Sequence, residues 1–128
     1  MKNAWVRRCA DHVTIAKPAV SLLAMTGALL GYCAKARILD HQAMVAALAM
    51  LLLTGGAASF NNAQDREYDH RMQRTAGRPL PQGRIPVWQA LAQAILLIGG
   101  GLLGLYGTAA YKPVLAGLAA LILYNCVY

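Results

Sequence analysis

Four long tracts of the sequence contain no Asp, Glu, Lys or Arg, and short charged blocks separate them. The tracts run from Pro18 to Ala34, from Gln42 to Gln64, from Ile85 to Tyr111 and from Pro113 to Tyr128. A helix that crosses a bilayer needs about 20 mostly apolar residues. The second and third tracts meet that length and the first is marginal. The pattern therefore predicts an all-α protein, a polytopic bundle of transmembrane helices.

The fourth tract is too short to complete a span. It holds 16 residues, and these form roughly 24 Å of helix against a hydrocarbon core of about 30 Å. The pattern therefore predicts about four spans, the last one truncated. All of them fall in a single domain of residues 1–128 that is incomplete at its C-terminus.

The segments between the tracts indicate how the spans are connected. Met1–Lys17 is a mixed polar lead-in, and Pro18 suits the first turn of span one because its missing N–H costs nothing there. The turn Lys35–His41 is short, so spans one and two are predicted to be antiparallel neighbours. Span two is expected from about Gln42 to Phe60, and span three from about Val87.

Small residues recur inside the predicted spans. They are Gly27 and Gly31 in span one, Thr54, Gly55, Gly56 and Ser59 in span two, and Gly99, Gly100, Gly101 and Gly104 in span three. In membranes, small residues let helix backbones approach closely. No lysine or helix N-terminus accompanies the glycine run of span three, which argues against a phosphate-binding loop. The glycines of spans one and three are predicted to mark helix–helix contacts, and the small residues of span two allow either close helix contact or exposure of the backbone to a cavity.

The net charge of +7 is distributed unevenly between the two predicted sides of the bundle. One side carries nine basic residues, Lys2, Arg7, Arg8, Lys17, Arg66, Arg71, Arg74, Arg78 and Arg84. The other carries three, Lys35, Arg37 and Lys112. Because cytoplasmic loops are enriched in Lys and Arg, the N-terminus and the 61–84 segment are predicted to be cytoplasmic, in a bacterial inner membrane. No basic stripe with interleaved aromatic residues is present, so nucleic-acid binding is not predicted.

Three polar residues stand four apart where the second tract ends. If the helix continues past Phe60, then Asn61, Asp65 and Asp69 drift by only about 40° per step and span about 12 Å along one face. Two carboxylates make a poor cage for Mg²⁺, but they suit a metal whose other ligands are substrate phosphates. The row therefore indicates a site for a metal and a diphosphate. Spacing alone leaves an ordinary solvated acidic face about equally plausible.

An arginine-rich turn follows the row directly. Arg74 and Arg78 are again four apart, and their guanidinium groups can clamp phosphate oxygens with two hydrogen bonds each. Glu67 and Arg71 form a favourable helical i,i+4 pair that needs no functional explanation. The candidate diphosphate ligands are therefore Asn61, Arg74 and Arg78.

The 61–81 segment resembles a known family. The run Asn61–Asp69 matches N-x-x-x-D-x-x-x-D, the first aspartate-rich motif of the UbiA-type intramembrane prenyltransferases. The run Met72–Pro81 is similar to that family's M-x-R-T-x-x-R-P-L-P signature. The resemblance covers nearly the whole chain, but only the N-terminal half of the family pattern. It implies a fold of about nine transmembrane helices.

Within that superfamily, four features are most similar to the branch that farnesylates heme B. They are Lys17-Pro18, Asn61-Asn62, Met72 before Arg74, and the closing run Tyr124–Tyr128. The resemblance implies transfer of a farnesyl group from farnesyl diphosphate to heme B, giving heme O, with Mg²⁺ as cofactor.

The family motif also implies a role for each polar residue. Asp65 and Asp69 would be the catalytic, metal-binding carboxylates, with Asn61 as a further metal ligand, while Asn61, Arg74 and Arg78 would bind the diphosphate. The family's second aspartate-rich motif does not occur in the sequence. Two alternatives therefore stay open. One is prenylation of an aromatic quinone precursor such as 4-hydroxybenzoate, and the other is a non-catalytic membrane remnant.

Overall fold

The computed structural model describes residues 2–108 and 111–127 of the chain. These residues form α1 (Lys2–Ile15), α2 (Pro18–Ala36), α3 (His41–Gln64), α4 (Arg66–Arg71), α5 (Val87–Gly107), α6 (Tyr111–Ile122) and a π-helical turn (Leu123–Val127). No β-strand occurs in the two described ranges, which confirms the all-α prediction.

Three of the helices are long and apolar enough to cross a membrane. α2, α3 and α5 contain 19, 24 and 21 residues, and they coincide with the first three uncharged tracts. The fourth tract forms α6 and the π-helical turn, and its apolar helix is shorter than the other three. Tyr128, the last residue of the closing run, lies outside the described residues.

Local signals set the ends of α2 and α3. Pro18 occupies the first turn of α2, as its fixed φ favours. Arg37 ends α2 in the left-handed region at φ 56°, where its N–H donates to the Cys33 carbonyl. The Asp40 carboxylate caps α3 by accepting a hydrogen bond of 2.9 Å from the Ala43 N–H. The short turn between the helices keeps them in contact, as predicted.

α3 is the central helix, and it packs most extensively against α5. A Cβ placed on Gly101 would lie 2.8 Å from the Ala49 carbonyl oxygen and from the Leu53 nitrogen. A Cβ on Gly56 would lie 2.8 Å from the Ile98 nitrogen. The two backbones therefore approach closely at both points, which confirms the packing prediction for these glycines.

The same prediction was wrong for Gly99 of α5 and for the two glycines of α2. Among the residues that the structure describes, a Cβ on Gly99, on Gly27 or on Gly31 would have no atom within 4 Å. α2 packs against α3 along its other side, where Ser21 is buried. Small residues permit close approach of two helices but do not show whether a neighbouring helix is present. Sequence analysis therefore assigned a helix contact to a face of α2 that has none in the described structure.

The mixed polar lead-in contains a helix, Lys2–Ile15, that sequence analysis did not predict. Polar contacts hold α1 in place. Asn62 Nδ2 donates to the Ile15 carbonyl at 2.7 Å, and Gln93 Nε2 donates to the His12 carbonyl at 2.9 Å. These partners lie far away in the sequence, so no local pattern could have revealed them.

Candidate functional site

The predicted polar row lies where α3 passes into α4. The Asp65 N–H donates to the Asn61 carbonyl at 2.9 Å, and the Asp69 N–H donates to the Asp65 carbonyl at 2.8 Å. Helical i,i+4 bonding therefore runs through all three residues, although Asp65 both ends α3 and precedes α4. The helix does continue past Phe60, which is the condition on which the predicted row depended, and the three residues follow one another along it.

The three side chains of the row have different surroundings. Asn61 and Asp69 are buried, at 7% and 6% exposure, and Asp65 is half-buried. Asp69 Oδ2 accepts a hydrogen bond from Arg78 Nη1 at 2.7 Å. The ion pair joins the aspartate row to the arginine-rich turn, which are nine residues apart. Within the described residues, the side chains of Asn61 and Asp65 make no hydrogen bond or salt bridge.

The turn after α4 folds back onto the end of that helix. Thr75 is buried, and its hydroxyl donates to the Asp69 carbonyl at 3.0 Å. Gly83, with φ +69°, allows the left-handed turn that leads the chain into α5. Between them Leu80 is 1% exposed and packs with Ile15 and Ile85. This buried anchor fixes the backbone that carries Arg78.

Sequence analysis missed two residues that position the site. Thr75 binds the backbone of Asp69, and Asn62 binds the end of α1. Thr75 is part of the R-T-x-x-R-P-L-P run, and Asn62 is next to the predicted ligand Asn61. Each residue therefore lies within one of the two family motifs, but the motifs did not show which of their polar side chains face the protein.

Arg74 and Arg78 are not equivalent. Arg78 is half-buried and paired with Asp69, whereas Arg74 is exposed and makes no hydrogen bond or salt bridge to any residue the structure describes. Arg78, Lys17 and Asn62 also line a cavity of about 260 Å³ beside the end of α1. The structure thus brings Arg78 to the row directly and leaves Arg74 pointing to solvent. It also adds a cation, Lys17, that the sequence did not mark as part of the site.

The acidic row fits a metal only as part of a larger ligand set. Across residues 2–108 and 111–127, no group of three His, Cys, Asp or Glu side chains is close enough to hold an ion. One oxygen of Asp69 is already held by Arg78. Mg²⁺ requires about six oxygen ligands, so Asp65, Asp69 and Asn61 fit it where phosphate oxygens and water complete the set.

The C-terminal half of α1 contacts the 61–84 segment. Arg84 Nη1 is 3.4 Å from Asp11 Oδ1, and Asn62 contacts the last turn of α1. These two contacts join the 61–84 segment to α1, and both segments carry basic residues that sequence analysis assigned to one side. Two of the arginines in the 61–84 segment, Arg78 and Arg84, have acidic partners.

Known proteins are similar to this chain in sequence. The model of the UbiA prenyltransferase family matches residues 20–128. The chain is 38% identical over 122 residues to the protoheme IX farnesyltransferase of Shewanella oneidensis, covering 92% of this chain and 40% of that one. It is 36% identical over 92 residues to the enzyme of that name from Pyrobaculum islandicum, covering 71% of this chain and 33% of that one.

The match covers only part of the length of each relative. The chain spans about a third to two fifths of the length of the curated relatives that it matches. No solved structure matches it. The family match nevertheless extends from near the start of α2 to the last residue, and it includes the aspartate row and the arginine-rich turn. The chain belongs to the UbiA prenyltransferase family.

Proposed function

We propose that the enzyme to which this chain belongs transfers the farnesyl group of farnesyl diphosphate to heme B, giving heme O. The relatives named protoheme IX farnesyltransferase support this acceptor. The observation that carries the proposal is the ion pair between Asp69 and Arg78 at 2.7 Å, which joins a carboxylate row to a turn containing two arginines. The carboxylates of the row can bind a metal, and the neighbouring guanidinium groups can bind phosphate. Both interactions neutralise the charge that develops on a departing diphosphate.

The residues of the row and the two arginines of the turn have different proposed roles. Asp65 and Asp69 would hold Mg²⁺, with the Asn61 amide oxygen as a further ligand, and Arg74 and Arg78 would donate to phosphate oxygens. When bound, the metal supplies positive charge that stabilises the leaving diphosphate. Asp69 is engaged by Arg78 before substrate binds. Arg78 therefore exchanges this carboxylate for a phosphate, and the freed Asp69 becomes available to the metal.

The overall reaction is balanced without an oxidant. The bond between the allylic carbon and the diphosphate oxygen breaks, and diphosphate leaves with the electron pair. The allylic carbon then bonds to a vinyl carbon of heme B. Water adds to the neighbouring carbon and loses a proton, which gives the hydroxyethylfarnesyl group of heme O. The chain's role in this sequence is to bind and neutralise the diphosphate.

The acceptor is tested with a full-length chimera. Residues 1–128 replace the matching part of the Shewanella oneidensis enzyme, and the purified chimera receives farnesyl diphosphate, Mg²⁺ and either heme B or 4-hydroxybenzoate. We expect heme O from the first acceptor and no product from the second, by mass spectrometry. Product from 4-hydroxybenzoate would assign the chain to quinone synthesis. No product from either acceptor, with a well-folded chimera and an active parent enzyme, would favour a non-catalytic remnant.

We also propose that the protein is an integral protein of the bacterial inner membrane, with α1 and the 61–84 segment in the cytoplasm. The excess of Lys and Arg at this end supports that orientation. Cys9 lies on α1 and is exposed. In a variant with Cys33→Ser and Cys126→Ser, a membrane-impermeant maleimide should label Cys9 in inverted vesicles and not in intact spheroplasts.

The matched control moves the thiol to the opposite turn. Leu39 lies between α2 and α3 and is 66% exposed. Leu39→Cys, combined with Cys9→Ser in the same background, should be labelled in spheroplasts only. Labelling of Cys9 in spheroplasts would contradict the proposed orientation.

A further inference from the structure

A groove of about 470 Å³ lies between α1 and α5, away from the aspartate row. Trp5 and Arg8 of α1 line one wall, and Trp88, Leu96 and Leu97 of α5 line the other. Both indole rings are largely exposed, Trp5 at 74% and Trp88 at 67%. An open groove with two exposed tryptophans and an arginine differs from a helix surface that faces only acyl chains.

Along α5, the lining of the groove changes from an aromatic ring to apolar side chains, as a phospholipid changes from its headgroup region to its acyl chains. Trp88 lies in the first turn of α5, a helix long enough to span the membrane, and tryptophan rings settle at the headgroup level. Leu96 is eight residues further along, about 12 Å deeper, and is 75% exposed. Contacts such as His12 Nδ1 to Gln93 Oε1, at 2.6 Å, hold α1 against this part of α5.

The net positive charge of α1 favours anionic over neutral lipid headgroups. Asp11 is the one acidic residue of α1, and Arg84 is its salt-bridge partner. Arg7 and Arg8 are exposed and form no salt bridge with any described residue. Of the two, Arg8 lines the groove. Basic side chains near the membrane surface attract anionic lipids.

We propose that this groove binds an anionic phospholipid. The Arg8 guanidinium contacts the lipid phosphate, Trp5 and Trp88 flank the headgroup and glycerol region, and one acyl chain lies along Leu96 and Leu97. None of the residues Asn61, Asp65, Asp69, Arg74 and Arg78 lines the groove. The proposal is therefore independent of the prenyl-transfer function.

The groove contains its own reporter, because Trp5 and Trp88 are the two tryptophans of the chain. The chain is reconstituted in phosphatidylcholine vesicles with a small fraction of brominated phosphatidylglycerol or of brominated phosphatidylcholine, and tryptophan quenching is measured. We expect the brominated anionic lipid to bind about 3- to 10-fold more tightly than the brominated neutral lipid. Arg8→Gln should remove this preference.

Arg7→Gln is the matched control, since it removes the same charge from the next residue but does not change the groove lining. It should keep most of the preference, and circular dichroism should show both variants equally helical. The proposal is overturned if the two brominated lipids quench equally, or if Arg7→Gln and Arg8→Gln lose the preference for the anionic lipid to the same extent. It is also overturned if neither lipid quenches because protein covers the groove, or if soluble inorganic phosphate displaces the lipid.

Discussion

Asp65→Asn will lower the rate of prenyl transfer by at least about 100-fold in the full-length chimera, because it removes a charge that we propose helps to hold the metal. The substitution is nearly isosteric, and Asp65 is half-buried without a hydrogen bond or salt bridge from its side chain in the described parts of the chain. Folding should therefore be unaffected. Asp69 is less suitable for this test, since its loss leaves Arg78 without its partner.

Glu67→Gln is the control for charge. Glu67 lies on α4 two residues after Asp65, is exposed, and is outside the i,i+4 row. The same loss of one negative charge should leave the rate within about twofold, as expected of an exposed group. The measurement is heme O formation against Mg²⁺ concentration. If Asp65→Asn retains the parental rate and the parental Mg²⁺ dependence, the metal role assigned to Asp65 is wrong.

Gly101→Ala will destabilise the bundle by about 1–3 kcal/mol, as overpacking of a close contact does. The added Cβ would lie 2.8 Å from the Ala49 carbonyl oxygen and the Leu53 nitrogen, both of which are backbone atoms of α3. Backbone atoms cannot rotate away as the end of a flexible side chain can. α5 must therefore move away from α3, and this pair has the most extensive contact in the described fold.

Gly99→Ala is the matched substitution two residues earlier on α5. A Cβ there has nothing within 4 Å, so the change should be neutral or slightly stabilising because alanine favours the helix. Both variants are compared by thermal unfolding in detergent, followed by size-exclusion chromatography. Equal stability of the two variants would show that α3 and α5 do not approach as closely as the structure indicates.

The aspartate row shows how far sequence could predict the site. The i,i+4 spacing of Asn61, Asp65 and Asp69 depends only on local helix geometry, and the structure follows it. The two arginines have the same spacing, yet Arg78 reaches Asp69 and Arg74 does not. That difference depends on the fold-back of the turn, which Thr75 and the buried Leu80 fix through contacts with other elements.

The sequence by itself determined the three long helices and the polar row, because hydropathy, helix length and helical spacing act over neighbouring residues. Only the tertiary structure decided that the first residues form a docked helix, since Asn62 and Ile15 are 47 positions apart. It also decided that Gly101 packs and Gly27 does not. Such contacts depend on which surfaces meet in space, and a linear pattern of residue types does not contain that information.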